Sequence, residues 1–396
     1  MNTRHAVVSG ASIAGLSTAF WLRRSGWEVT VLERATAFRD GGQNVDVRGV
    51  GREVLAKMGL TEAVRAQNTT ETGTVFVDAS GEVLVELPSD GPDGATAELE
   101  ILRGDLARTI LRHLPEGVEI NYGDTVAAVQ EEADRVTVTT NTGRVLRADL
   151  LVIAEGVRST TRELLFEGQV DSRALGITMV FGTIPRTTDD DSRWRWYTTV
   201  GGRQVHLRPD QHGTTRAILA CTEAEDPTRL DRTEALARIR DRFSGVGWEA
   251  PRILDGFDGS DDVYLDHLTQ IRMPVWHRGR VCLAGDAAWC VTPMGGGGAS
   301  LALVSGYVLA ACLSGTGSLT TGLAAYEAWM RPLVDDVQQL PRWIKPFAFP
   351  RTRLGLALRR MADKVLMSPV LAPLTARFTR IAQTDRELPP LAATAR

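Results

Sequence analysis

The residues between 285 and 298 carry the clearest chemical signal in the chain. They read GDAAWCVTPMGGGG and place one acid, Asp286, directly after the apolar run 281–284. Four consecutive glycines, 295–298, then lead into a helical pattern. Glycine lets backbone amides face a ligand closely, and a helix N-terminus favours negative charge. The stretch therefore predicts a ligand site with backbone donors beside a carboxylate.

A second signal lies near the N-terminus, where GASIAG runs from Gly10 to Gly15. The dinucleotide fingerprint G-x-G-x-x-G places small residues between a strand and a helix, so that backbone can approach a pyrophosphate. Ser12 stands where that fingerprint has its second glycine. Glu33 follows about 20 residues later, at the end of the next strand, and suits the hydroxyls of a ribose. The βαβ context disfavours the alternative of a tight turn with a surface glutamate.

A third signal is DLLVIAEGVRST at residues 149–160. A buried strand leads into Glu155 and Gly156, and Ser159 can cap a following helix. Taken alone, this stretch is equally well explained as an ordinary strand-to-helix loop. Its position between the other two motifs is what favours a role in the ligand site.

No other set of residues in the sequence predicts a catalytic centre. The six histidines are scattered, and the four cysteines show no metal-ligand spacing. A net charge of −4 gives no electrostatic argument for nucleic-acid binding. No apolar run is long enough to predict a membrane helix, the N-terminus lacks a signal-peptide pattern, and the cysteines suggest reduced thiols. A cytoplasmic protein is expected.

The elements that must position these motifs indicate an α/β fold. Short apolar strands near residues 6–9, 27–32, 150–154 and 281–284 predict a buried parallel sheet. Residues 74–86 predict a hairpin, and residues 176–220 predict antiparallel strands through alternation. The last fifty or so residues are predicted to be helical, with interruptions at prolines.

In order and spacing, GASIAG, AEG and GDAAWCVTPMGGGG resemble the flavoprotein monooxygenases of the para-hydroxybenzoate hydroxylase type. Within them the closest resemblance is to tetracycline-inactivating enzymes and antibiotic-pathway hydroxylases. The resemblance covers nearly the whole chain. It implies a Rossmann-like FAD-binding domain (1–72, 98–172 and 271–340), an inserted antiparallel-sheet substrate domain (73–97 and 173–270) and a C-terminal helical segment (341–396). Two positions depart from the family pattern: Glu155 replaces an aspartate, and Trp289 replaces a histidine. The Trp289 indole is expected to pack within the protein or to line the cavity.

The resemblance also implies which residues contact FAD. The fingerprint and Glu33 would hold the pyrophosphate and ribose, Asp286 the ribityl chain, and the glycine run the flavin ring. The full set of expected cofactor-binding residues is Gly10, Ser12, Ile13, Ala14, Gly15, Glu33, Arg34, Arg48, Arg103, Val126, Glu155, Gly156, Gly285, Asp286, Pro293, Gly295, Gly296, Gly297 and Gly298. No metal ligand and no protein catalytic residue is expected, because the flavin carries the chemistry.

A substrate pocket is expected between the flavin and the antiparallel sheet. Its candidate residues are Trp196, His206, Arg208, Arg216, Trp289 and Met294. The phase of the strands is open by one residue, so the arginines could instead face solvent.

These observations predict an FAD-dependent, NAD(P)H-using monooxygenase that oxygenates an aromatic or polyketide-like small molecule through a flavin C4a-hydroperoxide. The expected cofactors are FAD, transient NADPH or NADH, and O₂; the protein is expected to be a monomer or homodimer without membrane insertion. An FAD oxidase or dehydrogenase, or a non-catalytic flavin sensor, remains an alternative. A flavin-dependent halogenase is disfavoured, because Trp194–Thr198 lacks the Ile-Pro of WxWxIP and residues 58–344 contain no lysine.

Overall fold

The computed structural model describes residues 3–39, 41–88, 99–366 and 386–392 of the 396-residue chain. The strands in this part are β1 His5–Ser9, β2 Glu28–Glu33, β3 Asn44–Asp46, β4 Gly73–Val77, β5 Val83–Pro88, β6 Glu100–Leu102, β7 Val118–Tyr122, β8 Val126–Glu131, β9 Val136–Thr140, β10 Val145–Ala148, β11 Leu150–Ile153, β12 Asp171–Pro185, β13 Trp194–Thr199, β14 Arg203–Pro209, β15 Thr214–Thr222, β16 Tyr264–Arg272, β17 His277–Arg278 and β18 Val281–Leu283.

The helices in the same part are α1 Ile13–Arg24, α2 Val50–Met58, α3 Thr61–Arg65, α4 Arg103–Arg112, α5 Thr160–Leu165, α6 Arg232–Arg242, α7 Ala250–Asp258, α8 Asp286–Trp289, α9 Thr292–Gly295, α10 Gly298–Ser314, α11 Leu319–Gln338, α12 Ile344–Ala348 and α13 Arg353–Leu366. None of these described helices is both long and apolar enough to cross a membrane.

One sheet has six strands in the order β17-β18-β11-β1-β2-β7. Its central strand β1 pairs in parallel with β2 and β11, and β18 pairs in parallel with β11. The apolar strands at its centre are buried on both faces, as Val7, Val8, Leu151 and Val152 show. The parallel sheet predicted from the sequence is confirmed.

The other large sheet has seven strands in the order β16-β12-β15-β14-β13-β4-β5 and is antiparallel except for the β13–β4 pair. On one face, Val180, Tyr197, Val205 and Leu207 pack in the same apolar cluster as residues of α6 and α7. Side chains alternate along a strand, so the intervening residues lie on the opposite face. We call that opposite face the cavity face, since it lies toward the segment 42–44 and α9.

Helices α1 and α10 pack against each other at very short range. The Ser17 hydroxyl on α1 donates a hydrogen bond of 2.8 Å to the Leu303 carbonyl on α10. A Cβ atom on Gly306 would lie 2.5 Å from backbone atoms of Ser17 and Thr18. The absence of a side chain at this position therefore permits the approach that sets the two helices relative to each other.

The C-terminal helices cover one end of the cavity face. Phe349, between α12 and α13, is buried in a cluster with Ile177, Ala220 and Leu268. The helical pattern expected from the sequence agrees with α12 and α13 as far as Leu366. Most of the remaining C-terminal segment lies outside the described residues.

We expect Gly306→Ala to lower the free energy of unfolding by about 1–3 kcal/mol, because its Cβ would force the backbones of α1 and α10 apart. Urea unfolding of the purified variants measures this difference. Gly259→Ala is the matched control, since its Cβ meets no atom within 4 Å and its φ is −97°. Equal losses in the two variants would contradict the tight contact.

Candidate functional site

The three sequence motifs meet at the carboxyl ends of adjacent parallel strands. The motif after β1 touches the one after β11, since a Cβ on Gly10 would lie 2.5 Å from the Ala154 carbonyl oxygen. It also touches the motif after β18, since a Cβ on Gly285 would lie 2.6 Å from the Ala14 Cβ. This edge of an open α/β sheet is where such folds bind ligands. We call the space bounded by the three motifs the cleft.

The first turn of α1 presents backbone donors without a side-chain cap. Gly10 has φ +107°, and a Cβ on Gly15 would overlap the Gly10 carbonyl oxygen, so both positions require glycine. Ser12 occupies the N-cap but makes no capping bond, and its hydroxyl instead accepts a 3.1 Å hydrogen bond from Arg103 Nη2. The first turn also contains no acidic residue. This end of α1 therefore suits an anion.

Glu33 stabilises the loop that precedes α1. Its two carboxylate oxygens accept hydrogen bonds of 2.9 Å from the backbone amides of Ala11 and Ala35. Each oxygen keeps a free lone pair, so Glu33 can still accept from a ribose hydroxyl. The neighbouring Arg34 is exposed, whereas the Val126 side chain is buried in the core. The predicted contacts of Arg34 and Val126 with the cofactor remain predictions.

The N-terminus of α10 is also free of side-chain caps. Gly296 and Gly297 both have positive φ, and Gly297 occupies the N-cap. In the first turn, the Ser300 hydroxyl accepts a 2.9 Å hydrogen bond from the Arg48 amide and donates a 3.2 Å bond to the Asp46 carbonyl. The Asp46–Arg48 segment is thereby held against the start of α10.

Several polar atoms at the cleft have no partner among the described residues. One Asp46 oxygen and the Thr292 hydroxyl are buried without a hydrogen bond. Thr292 also has φ +63°, a strained value for a β-branched residue. The Asp286 side chain is exposed at the cleft. Desolvation by the surrounding protein raises the pKa of its carboxyl, and the charge of Arg103 opposes that rise. Unpaired acceptors and uncapped amides match a ligand with hydroxyl, N–H and phosphate groups, as FAD has.

The Glu155 carboxylate accepts four hydrogen bonds from groups of the protein. Its oxygens accept hydrogen bonds from the hydroxyls of Ser9 (2.5 Å), Ser159 (2.6 Å) and Thr161 (2.6 Å), and from the Thr161 amide (3.1 Å). The carboxylate thus joins the end of β1 to the start of α5, and its lone pairs are occupied. Gly156 follows with φ +80° and open space around its Cβ position. The Glu155 oxygens are thus used within the protein, and the predicted contact of Glu155 with the cofactor remains a prediction.

The structure places Trp289 differently from the sequence-based prediction of a pocket residue. Its indole is 2% exposed and packs in the core, with ring centroids 4.3 Å from Trp276 and 6.3 Å from Tyr326. Trp289 is the last residue of α8, a single turn that directly follows the buried strand β18, and its ring lies in the core. Met294, by contrast, lies against the apolar cluster of the cavity face.

Trp196 and His206 form an aromatic group on the cavity face. Their ring centroids lie 4.4 Å apart, and Trp194 stacks on Trp196 at 5.1 Å. The Trp194 indole donates to His206 Nδ1 at 3.1 Å, and His206 Nε2 lies 3.2 Å from Gln204 Oε1. Burial lowers the pKa of His206 well below its ordinary value, with the nearby arginines adding to the effect. His206 is therefore a neutral, fixed wall residue.

Arg208 is held in a buried ion cluster. Its guanidinium bonds Glu71 at 2.9 Å and Glu100 at 2.8 Å, and it lies 4.1 Å from the Trp194 ring centroid. Thr69 and Asn44 donate to the other Glu100 oxygen. Sequence reasoning missed Glu71 and Glu100, because their partner is more than 100 positions away in the chain and neither belongs to a motif.

Arg216 lines a narrow pocket between the segment 42–44 and the cavity face. Phe181 and Tyr264, stacked at 5.0 Å, form the aromatic side of this pocket. Arg216 bonds Asp262 at 2.8 Å and Asp210 at 3.1 Å. The predicted pocket residues Trp196, His206, Arg208 and Arg216 therefore share one face of the sheet. The polar groups of His206, Arg208 and Arg216 are paired within the protein, whereas the buried indole N–H of Trp196 has no hydrogen-bond partner among the described residues.

Glu71 predicts a specific pH dependence of stability. Burial raises its pKa from 4.5 to about 8, although Arg208 opposes the rise. The unfolded chain releases this proton near the ordinary value, whereas the folded protein keeps it up to about pH 8. As the pH rises from about 4.5 to about 8, the free energy of unfolding of wild type should fall relative to that of Glu71→Gln, by up to about 1.4 kcal/mol per pH unit. Parallel urea unfolding across the window measures the difference, and a constant difference would contradict the buried neutral acid.

The comparisons with known proteins agree with this geometry. The FAD binding domain family matches residues 3–340. The chain is 34% identical to the uncharacterized protein Rv1260 of Mycobacterium tuberculosis, covering 84% of this chain and 91% of that protein. It is 31% identical to the FAD-dependent monooxygenase asL4 of Sarocladium schorii, covering 84% of each. The crystal structure of tetracycline destructase Tet(51) superposes with a TM-score of 0.82 at 26% identity, covering 97% of this chain and 100% of that one.

The matched region contains all three motifs and both large sheets, and the matches extend over most of each relative. The resemblance predicted from the sequence is confirmed. The chain belongs to the FAD-binding domain family and, within it, to the flavin-dependent monooxygenases.

Proposed function

We propose that this protein hydroxylates, or otherwise oxygenates, an aromatic or polyketide-like small molecule, using FAD, NADPH or NADH, and O₂. Bound FAD supplies the redox chemistry, since it takes a hydride from the nicotinamide and activates oxygen for transfer to the substrate. The observation that carries the proposal is the cleft itself. Two uncapped helix N-termini and the unpaired Asp286 carboxylate meet there, opposite the aromatic cavity face.

The residues at the cleft have distinct proposed roles. The first turn of α1, with Arg103, would bind the pyrophosphate, and Glu33 would bind the adenosine ribose. Asp286 would accept from the ribityl hydroxyls. The amides that follow Gly297 would stabilise the negative charge that develops when the flavin ring is reduced. The remaining cofactor-binding residues predicted from the sequence would also contact FAD.

The cavity face would position the substrate and exclude water from it. Water exclusion matters because activated oxygen is otherwise lost as hydrogen peroxide. The C-terminal helices contribute to this enclosure, since Phe349 is buried against the cavity face and the Ala348 carbonyl accepts from Gln204 at 2.7 Å. No described side chain needs to act as a catalytic base in this proposal.

The domain boundaries are part of the same proposal. The FAD-binding domain would comprise residues 1–72, 98–172 and 271–340, and the substrate domain residues 73–97 and 173–270. Residues 341–396 would be the C-terminal segment, of which the described part around Phe347–Phe349 would close the cavity. We further propose a cytoplasmic monomer or homodimer. Reduced cysteines support the location, and the four cysteines are free.

Anaerobic mixing with NADPH or NADH tests the proposal directly. The flavin absorbance of the purified protein should bleach, and it should bleach faster when a suitable polycyclic phenol is present. Admission of oxygen should then give a hydroxylated phenol. A flavin that neither nicotinamide reduces would overturn the proposal in favour of a sensor, whereas reduction followed only by hydrogen peroxide would favour an oxidase.

Asp286→Ala should weaken FAD binding by about 10-fold or more, because the variant loses the hydrogen-bond acceptor proposed for the ribityl hydroxyls. Titration of the FAD-free protein with FAD, followed by flavin fluorescence, measures the change. Asp189→Ala is the control, since Asp189 is exposed after β12 and remote from the three motifs. Unchanged FAD affinity in Asp286→Ala would remove Asp286 from the site.

A further inference from the structure

Helix α13 turns a charged pair toward the protein and apolar side chains toward solvent. Arg359 and Asp363 are 5% and 7% exposed, and Arg359 Nε lies 3.3 Å from the Asp363 carboxylate. The Arg359 guanidinium also lies 5.6 Å from the ring centroids of Trp196 and Phe347. A surface helix of a globular protein ordinarily buries its apolar stripe and exposes its charges. The described residues leave the apolar side of α13 uncovered.

The uncovered side of α13 is a continuous apolar stripe. Leu354, Leu358 and Met361 are 71%, 52% and 59% exposed. Together with exposed Ala357 they follow helical spacing, so they share one side of the helix. We call this stripe the outer face. Other large apolar side chains exposed in the described part of the chain lie singly in separate segments: Val83, Val145, Leu164, Leu230, Val275 and Trp343. Single exposed residues are ordinary, whereas a contiguous row marks an interaction site.

Basic side chains flank the outer face. An open depression along α13 is lined by Arg353, Leu356, Ala357, Arg360, Met361 and Lys364. Arg353 and Lys364 are exposed, and neither forms a salt bridge with a described residue. Arg360 lies near Asp78, whose pKa is lowered chiefly by hydrogen bonds from Ser80 and to a smaller extent by this arginine. The outer face is therefore apolar along its centre and positive along its edges.

The positive charge is concentrated in this part of the sequence. Residues 341–364 contain seven arginines and lysines and one acid, in a chain whose net charge is −4. That one acid is Asp363, which is buried against Arg359. A helix with an apolar side and a basic border is typical of helices that lie in the surface of an anionic membrane. The long stems of arginine and lysine let their charges reach lipid phosphates while the apolar residues sit deeper.

Two other occupants of the outer face match its charge less well. In a symmetric contact with a second copy, the same patch meets itself, so the basic borders of the two helices would come together. The segment 367–385 follows α13 in the chain, and its sequence contains two arginines and one acid. Neither occupant supplies the negative charge that the borders of the outer face call for. An anionic lipid surface supplies it along the whole helix.

We propose that the outer face of α13 docks the protein reversibly on an anionic membrane surface. Leu354, Leu358 and Met361 would enter the boundary between headgroups and acyl chains, and Arg353, Arg360 and Lys364 would contact lipid phosphates. The helix would lie parallel to the membrane, so the docking needs no spanning segment. It is also independent of the reaction proposed above, since it uses none of the residues at the cleft.

Sedimentation of the FAD-loaded protein with lipid vesicles tests the docking. Vesicles of equal parts phosphatidylglycerol and phosphatidylcholine should bind the protein at least about 10-fold more strongly than vesicles of phosphatidylcholine alone. Sodium chloride at about 0.5 M should remove most of this difference, because salt screens exposed charges. Absence of binding to the anionic vesicles, or equal binding to both kinds of vesicle, would overturn the proposal.

Leu358→Gln tests the apolar part of the outer face. The variant should bind anionic vesicles at least about 5-fold more weakly, because it loses apolar area that would enter the lipid. Leu164→Gln is the matched control, since Leu164 is a leucine of α5 with an exposed fraction of 53% against 52% for Leu358. Full binding by Leu358→Gln, or an equal loss in Leu164→Gln, would contradict docking through α13.

A double variant, Arg353→Gln with Lys364→Gln, tests the basic border. Binding to anionic vesicles should fall by at least about 10-fold, with little change for phosphatidylcholine alone. Arg147→Gln with Arg229→Gln is the control, because these exposed arginines lie outside α13 and their removal changes the net charge equally. An equal loss in the control would show a general charge effect and would overturn the assignment to α13.

Light scattering without lipid tests the second copy as the occupant. Wild type and Leu358→Gln should have the same mass at equal concentration, since the outer face is reserved for lipid in this proposal. A wild-type dimer that dissociates in Leu358→Gln would assign the face to a second copy and would overturn the proposal.

Discussion

The close packing of α1 on α10 is the contact on which the cleft depends. Gly306 lets the two backbones approach, and Ser17 bonds the Leu303 carbonyl across the contact. The pairing brings two helix N-termini toward one space, and neither carries a side-chain cap or an acid in its first turn. Uncapped amides are unfavourable when buried without acceptors. A bound dinucleotide removes that penalty and gains from both helix dipoles.

A second constraint fixes the substrate side of the molecule. The cluster of Arg208, Glu71 and Glu100 joins the seven-stranded sheet to the β3–β6 ribbon, and Asp46 and Arg48 continue from that ribbon to the first turn of α10. Removing either member of the Arg208–Glu100 ion pair leaves a buried charge unpaired, which is strongly unfavourable. The cluster therefore holds the cavity face and the cleft at a fixed separation.

The sequence was sufficient to predict the features that depend on local chemistry. The glycines at 10, 15 and 285 mark close contacts that leave no room for a side chain, and the order of the motifs that contain them identified the fold and the family. It was not sufficient where the outcome depends on residues distant in the chain. Trp289 could not be assigned to the core without knowing that Trp276 and Tyr326 surround it. Likewise, the cavity arginines looked available for a ligand until their carboxylate partners were known.

A monooxygenase inserts one atom of molecular oxygen into its substrate, here an aromatic molecule. The most direct measurement is turnover under ¹⁸O₂ with NAD(P)H and the polycyclic phenol that most accelerates flavin reduction, followed by mass spectrometry of the product. A monooxygenase reaction gives a product that carries one ¹⁸O atom, with the second atom released as water. A product without ¹⁸O, or an unmodified phenol with hydrogen peroxide as the only fate of the oxygen, would contradict it.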